Sequence, residues 1–359
     1  VKNSLFQQNN GSWTVTGTMS GTSLDGLDLC TSTFHLEDGS WRFEILKAET
    51  IPYPPELLQK IEKAYTISSP NEATEIDVVL STYIGEQVRN HISNLETKVN
   101  LLGSHGHTVL HQPEKGLTYQ IGNRPELRSA AGLPTVCDFR VGDVDLGGQG
   151  APLVPIGDAL LFSEYDVCLN LGGFANLSLE RENRRVAWDI CPVNIGLNHF
   201  AAKMGLEYDK NGHIAASNAM DGPTFYHLNQ LPYFSEDPPK SLGREWFENA
   251  ILPKLDQLNH EASIATLTGL AAYQIAKTLQ EVDAQNVLCT GGGAYNKHLI
   301  NMVKQSISGE LTLPESTVIN YKEALIFGFL ALLKMRGETN VLASVTGASK
   351  DHSSGVIYA

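Results

Sequence analysis

The stretch "TGTMSGTSLDGLDLC", Thr16–Cys30, decides how this chain is read. The segments around it, "SWTVTG" before and "LDLCTSTFHL" after, alternate as strands do, which makes the stretch a hairpin with the turn "SGTSLDG". Gly21 and Gly26 carry no Cβ to block close approach, so backbone N–H groups and the hydroxyls of Ser20, Thr22 and Ser23 can face an anion. Asp25 and Asp28 repel a phosphate placed against them directly; their sensible role beside one is to hold Mg²⁺, directly or through water. An ordinary tight turn uses the same residue types, so the rest of the chain has to decide between the two.

The plan recurs about one domain length later. "YDVCLNLGGFANLSLERENRRVAWDIC" runs from an apolar strand into Gly172-Gly173 and out through a second strand. A third glycine site, Gly291 to Gly293 in "VLCTGGGAYN", ends a buried strand where missing side chains let a flat ligand lie against the backbone; tight helix–strand packing is its other explanation. Three such sites at strand ends favour a nucleotide held between two related domains. The dipeptide Gly-Lys is absent and no strand-linked G-x-G-x-x-G occurs, so neither a Walker A loop nor a Rossmann fingerprint is available.

Helical periods lie between these hairpins, at Leu57, Leu58 and Ile61, at Ile76, Val79, Leu80, Tyr83, Ile84 and Val88, and through "IATLTGLAAYQIAKTLQEV", "KHLINMVKQSI" and "YKEALIFGFLALLKMRG". Helices alternating with apolar strands predict α/β layers. The Pro/Gly-rich "GDVDLGGQGAPLVPIGD" is the best boundary, giving domains over 1–145 and 146–359, with the last helix or tail free to pack back on the first.

Composition removes other classes. The 359 residues are 42% apolar, which suits a soluble globular protein of two domains. A net charge of −14 argues against nucleic acid or an anionic membrane as partner, so an anionic substrate must be met by local donors. The five cysteines contain no C-x-x-C and read as reduced core thiols. No apolar leader opens the sequence, and the run "ALIFGFLALL" from Ala324 is too short to span a bilayer, so a cytoplasmic protein is expected.

With these motifs in order, "MSGTSLDGLD", "DFR", "GGQGAPLVP", "LNLGGFANLS", "CTGGGAYN", "KEALIFGFLA" and the ending "VTGASKDHSSGVIY", the chain resembles the anhydro-N-acetylmuramic acid kinases of the actin-like ATPase and sugar-kinase superfamily over almost its whole length. The resemblance implies α/β architecture, with two related actin-like (ribonuclease H-like) domains flanking a nucleotide-binding cleft. It also implies a homodimer that uses ATP with Mg²⁺ to convert 1,6-anhydro-N-acetylmuramic acid, a product of cell-wall turnover, to its 6-phosphate while water opens the anhydro bridge. The alternatives are a kinase for another anhydrosugar or amino sugar, and an actin-like ATP-binding protein without turnover.

Carried over by position, Gly21, Thr22, Ser23, Leu24, Asp25, Gly26, Leu27 and Asp28 form the first phosphate loop, with Asp25 and Asp28 at the metal. Gly172 and Gly173 form the second loop, and Gly291, Gly292, Gly293 and Asn296 the adenosine contact. Asp189 in "VAWDICPVN" aligns with the general base, and one carboxylate in reach of the attacking water suffices. Glu323 in "YKEAL" sits at a sugar-contacting acid; His105, His107 and Arg140 are substrate ligands, the arginine toward the lactyl carboxylate with Arg124 and Arg128 as rivals. Asp138 is a rival base or metal carboxylate, and Gly147 and Gly148 shape a loop. His105, His107 and His111 share one strand face, as a zinc site would need, only if no turn intervenes. The family's "DTGPGN" reads "DICPVN" here, with Ile190, Cys191 and Val193 in place of Thr and two Gly.

Overall fold

The computed structural model describes residues 6–21 and 24–359, in two compact units: 1–161 with 321–359, and 162–320. Thr22 and Ser23, two of the expected phosphate-loop residues, lie outside the described residues.

In the first unit, β1 (Gly11–Ser20), β2 (Leu27–Glu37) and β3 (Ser40–Ile51) form an antiparallel meander. The Thr, Val and Trp content of β1 suits a strand covered on both faces, and Trp13 to Thr18 are all buried. Helix α1 (Pro55–Ala64) starts on a proline at its first position and buries Leu57, Ile61 and Ala64 along one face. Helix α2 (Thr74–Ile92) does the same with Leu80, Ile84 and Val88, each fully buried. Strand β4 (Leu101–Ser104) pairs parallel with β1; β5 (His107–Gln112) and β6 (Leu117–Ile121) form a separate hairpin. After α3 (Pro125–Ala131), β7 (Thr135–Cys137) adds in parallel beside β4, and the tail residues Val356–Tyr358 close that edge. The sheet therefore runs β3-β2-β1-β4-β7 plus the tail strand.

The unit continues through α4 (Val141–Asp145) and α5 (Pro155–Leu161), past the expected junction at 145/146. The reason is packing: Gly157 of α5 lies against Ile326 of the long helix Ser316–Arg336, whose residues from Tyr321 belong to this unit. That helix crosses the sheet where Gly17 and Gly103 leave no Cβ; a Cβ at Gly17 would overlap the Ala324 carbonyl. The run "ALIFGFLALL" is the middle of this helix, which by length and composition alone could cross a membrane. Ala324, Ile326, Phe329 and Leu330 are each at most 1% exposed, so here the run is core.

The second unit repeats the topology. Strands β8 (Val167–Leu171), β9 (Phe174–Arg181) and β10 (Arg184–Pro192) form an antiparallel meander, and β11 (Asn286–Thr290) and β12 (Glu310–Thr312) add in parallel beside β8. The order β10-β9-β8-β11-β12 is that of the first sheet, strand for strand. Helix α6 (Asn194–Lys203), helix His260–Glu281 and helix Lys297–Ser306 cover the sheet, and the 22-residue helix His260–Glu281 supplies much of the core through Ile264, Leu267, Leu270 and Ile275. Each unit is thus a ribonuclease H-like domain, and the α/β duplication expected from the two hairpins is present. Ile190, Cys191 and Val193, where the chain departs from "DTGPGN", are at most 2% exposed and belong to this core.

Candidate active site

The sites of the two units are built separately. In the first, the turn between β1 and β2 closes with the Leu24 N–H donating to the Gly21 carbonyl at 3.2 Å, and Leu24 takes a left-handed φ of 59°. Leu27 is fully buried, so it anchors the turn in the core and offers a ligand only its backbone. Asp25 is exposed and Asp28 half-buried. Burial, with Asp25 and Glu323 nearby, pushes the Asp28 carboxyl up to about 6, against a 2.6 Å hydrogen bond from the Thr50 hydroxyl that lowers it. No cluster of three or more His, Cys, Asp or Glu able to hold a metal occurs among the described residues. The pair Asp25 and Asp28 fits Mg²⁺ under that condition, because this ion takes one or two carboxylates and fills its octahedron with water and phosphate oxygens.

His105 and Arg140 form one device. The His105 Nδ1 lies 2.9 Å from the Gly106 carbonyl, an acceptor only, so that nitrogen carries the proton. Its Nε2 is then an acceptor, and it takes Arg140 Nε at 3.0 Å and Nη2 at 2.8 Å. Burial and the guanidinium hold His105 well below the usual histidine range, which keeps this neutral form. Arg140 Nη1 donates to the Gly150 carbonyl at 2.6 Å. Gly150 in turn gives its N–H to Asp143 Oδ2 at 2.7 Å, and Asp143 Oδ1 receives the Thr346 hydroxyl at 2.7 Å. A guanidinium has five N–H donors, so these bonds leave one on each terminal nitrogen of Arg140 for a further acceptor. Glu323 is close enough to raise the arginine's pKa; its own carboxyl is raised by the protein packed around it, although the residue as a whole is exposed, and lowered by Lys322 and Arg140. The buried ion pair of Lys322 with Asp158, at 3.0 Å, fixes the helix just before Glu323.

His107 is placed differently from its two neighbours. It is fully buried; Nδ1 meets the Ser20 hydroxyl at 2.8 Å and Nε2 the Tyr65 hydroxyl at 2.7 Å, while Tyr53 donates to Ser20 at 2.6 Å. Burial drops its pKa to about 4. Both ring nitrogens are thus occupied within the protein, and the histidine braces the end of β1. Gly106, with φ of 70°, supplies the turn between His105 and His107, and an irregularity at Thr108/Leu110 leaves His111 exposed on Thr118. The three imidazoles do not converge.

In the second unit, the carbonyls of Gly172 and Gly173 accept the N–H groups of Asn194, at 3.3 Å, and of Val193 and Ile195, at 2.8 and 3.1 Å. In a trans peptide the C=O and N–H point in opposite directions, so the N–H groups of Gly173 and Phe174 are turned away from α6, as an anion loop requires. Gly291 and Gly293 are glycines for packing: a Cβ on either would come within 2.6–2.7 Å of Asn170 or Leu171, and Gly291 has φ of 83°. Gly292 alone opens on space, a cavity of about 330 Å³ lined by Asn194, Leu197, Asn198, Tyr208, Asp209, Asn211, Gly292, Tyr295 and Asn296. Asn296 spends its Oδ1 on capping the helix Lys297–Ser306 through Leu299 N–H at 3.0 Å. Tyr208, Asp209 and Asn211 carry no sequence signal; only the fold brings them to the glycines.

Asp189 lies in β10, three residues before its end, where the pairing with β9 shifts between Asp189 and Cys191. Its Oδ2 accepts the Leu242 N–H at 2.7 Å, and burial raises the carboxyl against that bond. Asp138, the rival carboxylate, is in the first unit with a left-handed φ of 57° and a carboxyl pushed up to about 6 by burial, Asp77 and Asp145.

Comparison with known proteins bears on the family of the chain. The family model for anhydro-N-acetylmuramic acid kinase matches residues 13–359. Proteins of that name from Synechococcus sp. (strain WH7803) and Acinetobacter baylyi are 32% and 33% identical, over 94% and 93% of this chain and 97% and 96% of their own. One from Pseudomonas putida is 34% identical over 95% of this chain and 98% of its own. A match of this extent, on a duplicated fold whose glycine turns all end strands, means that the chain belongs to the anhydro-N-acetylmuramic acid kinase family.

Proposed function

We propose that this protein transfers the γ-phosphoryl group of ATP to O6 of 1,6-anhydro-N-acetylmuramic acid while water opens the anhydro bridge, giving N-acetylmuramic acid 6-phosphate for cell-wall recycling. O6 is tied into the bridge and has no proton to lose, so the base is needed for water. Asp189 takes that proton as the water oxygen bonds to the anomeric carbon. The C1–O6 bond breaks, its electron pair forms the O6–phosphorus bond, and ADP leaves with the electrons of the β,γ-bridge. Asp189 then returns its proton to solvent.

The outward N–H groups at Gly173 and Phe174 and those of the first turn stabilise charge on the moving phosphoryl group, by position rather than covalent chemistry. Asp25 and Asp28 would hold Mg²⁺, which when bound neutralises charge on the β- and γ-phosphates. The cavity beside Gly292 takes the adenosine. Arg140 offers its two remaining N–H groups to the lactyl carboxylate, and Glu323 accepts from a sugar hydroxyl. A cytoplasmic location and a homodimer belong to the same proposal, the dimer resting on the resemblance alone; sedimentation tests the dimer.

The observation that supports this reading above the others is the family match combined with an Asp189 whose Oδ2 is anchored and whose Oδ1 has no hydrogen bond among the described residues. The test is ADP release with several anhydrosugars. Sugar-dependent ADP with the N-acetylmuramic compound is expected. Product with levoglucosan alone moves the substrate, and ADP production that ignores sugar overturns the kinase.

A further inference from the structure

The sheet order makes β10 an edge strand, whose outer N–H and C=O groups need partners from outside the sheet. At Asp189 those partners come from the surface strap 232–243. The Asp189 N–H donates to the Lys240 carbonyl at 3.2 Å, its carbonyl accepts the Tyr233 hydroxyl at 2.7 Å, and its Oδ2 accepts the Leu242 N–H at 2.7 Å. Three bonds from one strap to one residue fix the backbone on both sides of the carboxylate as well as the carboxylate itself.

The strap is in turn held in its loop by Lys240. Its Nζ donates to the Tyr233 carbonyl at 3.0 Å and to the Glu236 carbonyl at 2.8 Å, and stands 4.8 Å from the centre of the Tyr233 ring. Tyr233 and Phe234 are 5% and 6% exposed and pack against Trp246, with ring centres 5.2 and 5.9 Å away. Ser235, Glu236 and Asp237 are exposed, so the strap is a surface segment with buried anchors at its start and a partly buried Leu242 near its end.

We propose that Lys240 is a positioning residue for the reaction: by closing the strap it aims the Leu242 N–H at Asp189 Oδ2, so that only Oδ1 is presented to the reacting water. The inference rests on Asp189 being the base. It assigns the orienting third member that an activated base requires, supplied here by a backbone N–H under the control of a lysine that touches no substrate. The titratable groups facing Asp189 are Cys191 on its own strand and Tyr233 from the strap, both pushed well up by burial and neutral at physiological pH; Glu236 stands beside Tyr233. A shift in the Asp189 titration on losing the strap is therefore not confused with the ionisation of a neighbour.

The experiment measures the single-turnover rate against pH, with KM for ATP and for the anhydrosugar, in Lys240→Met, Lys240→Arg, Tyr233→Phe and Asp189→Asn. Lys240→Met is expected to lose at least tenfold in rate with both KM values within twofold of wild type. Its acid limb moves to higher pH, since the N–H bond that favours the carboxylate is weakened. Lys240→Arg restores rate and limb because a guanidinium can reach the same carbonyls, and Tyr233→Phe, which deletes one hydroxyl, shifts the limb the same way by less. Full rate and an unmoved limb in both Lys240→Met and Tyr233→Phe would overturn the proposal, as would a rate loss matched by a falling melting temperature with the limb unmoved. Near-normal turnover in Asp189→Asn removes the base reading and the proposal with it; a dead Asp189→Asn beside a normal Lys240→Met removes the proposal alone.

Discussion

Alanine at Gly291 and alanine at Gly292 should have opposite effects, although the two glycines are adjacent in a run of three. Gly291 has φ of 83° and ψ of 163°, a region that only glycine occupies freely, and forcing alanine there costs about 1–3 kcal/mol. The new Cβ would also stand 2.6 Å from Asn170 Oδ1 and 2.9 Å from the Leu171 carbonyl carbon; backbone cannot retreat as a side-chain end can, and such overpacking adds about 1–3 kcal/mol. The sum is about 2–6 kcal/mol, which in a domain of this size lowers the melting temperature by roughly 5–20 °C. At Gly292 φ is not positive and the nearest atom to a Cβ is Asn194 Nδ2 at 3.7 Å, an ordinary contact, so Gly292→Ala should melt within a few degrees of wild type. Its methyl instead enters the cavity assigned to adenosine and raises KM for ATP. Thermal unfolding without ligand, paired with ATP titration of initial rates, reads both. Equal melting temperatures for the two variants would refute the packing argument, and an unchanged ATP KM in Gly292→Ala would refute the assignment of the cavity.

Other outcomes follow from the first unit. The Asp28 carboxyl, raised from 3.8 to about 6, gives the fold a stability that is complete below the unfolded value and lost as pH climbs through the folded one. Asp28→Asn should therefore stabilise the ligand-free protein at pH 7.5, by about 1–2 kcal/mol once solvent screening is allowed for, and coincide with wild type below about pH 4 in thermal scans. The same variant should weaken activation by Mg²⁺ in rate titrations. His105→Gln, which can keep an acceptor toward Arg140, should preserve more sugar affinity than His105→Phe, which strands the guanidinium; the sugar KM distinguishes them while the ATP KM stays level. Thr346→Ala removes a hydroxyl donor from the buried Asp143, costs about 1.5–3 kcal/mol of stability, and raises the sugar KM through Gly150 and Arg140.

What could be read from sequence was whatever the local pattern dictates. Both glycine hairpins, the helix periods and the duplication were legible because strand alternation, glycine turns and helical spacing act over a few residues. The boundary was not, since the close approach of Gly157 to Ile326 joins positions far apart in the chain. Nor could the sequence separate Gly292 from its neighbours, because the difference lies in where β8 ends. His105 and His107 look equivalent in "GSHGHT"; only the packing turns the second toward Ser20 and Tyr65 and the first toward Arg140. The strap on Asp189 carried no signal at all, because its decisive donor is a backbone N–H that any residue but proline would supply.

The most direct test of the account is turnover of ATP and 1,6-anhydro-N-acetylmuramic acid in ¹⁸O-labelled water, quenched in the first turnovers, with the position of the label read by mass spectrometry. Attack of an Asp189-activated water on the anomeric carbon predicts one label on the C1 oxygen of the sugar 6-phosphate, none in the phosphoryl group, and one ADP per sugar. Label in the phosphoryl group or in free phosphate, with the C1 oxygen unlabelled, would place the attack at phosphorus and contradict it.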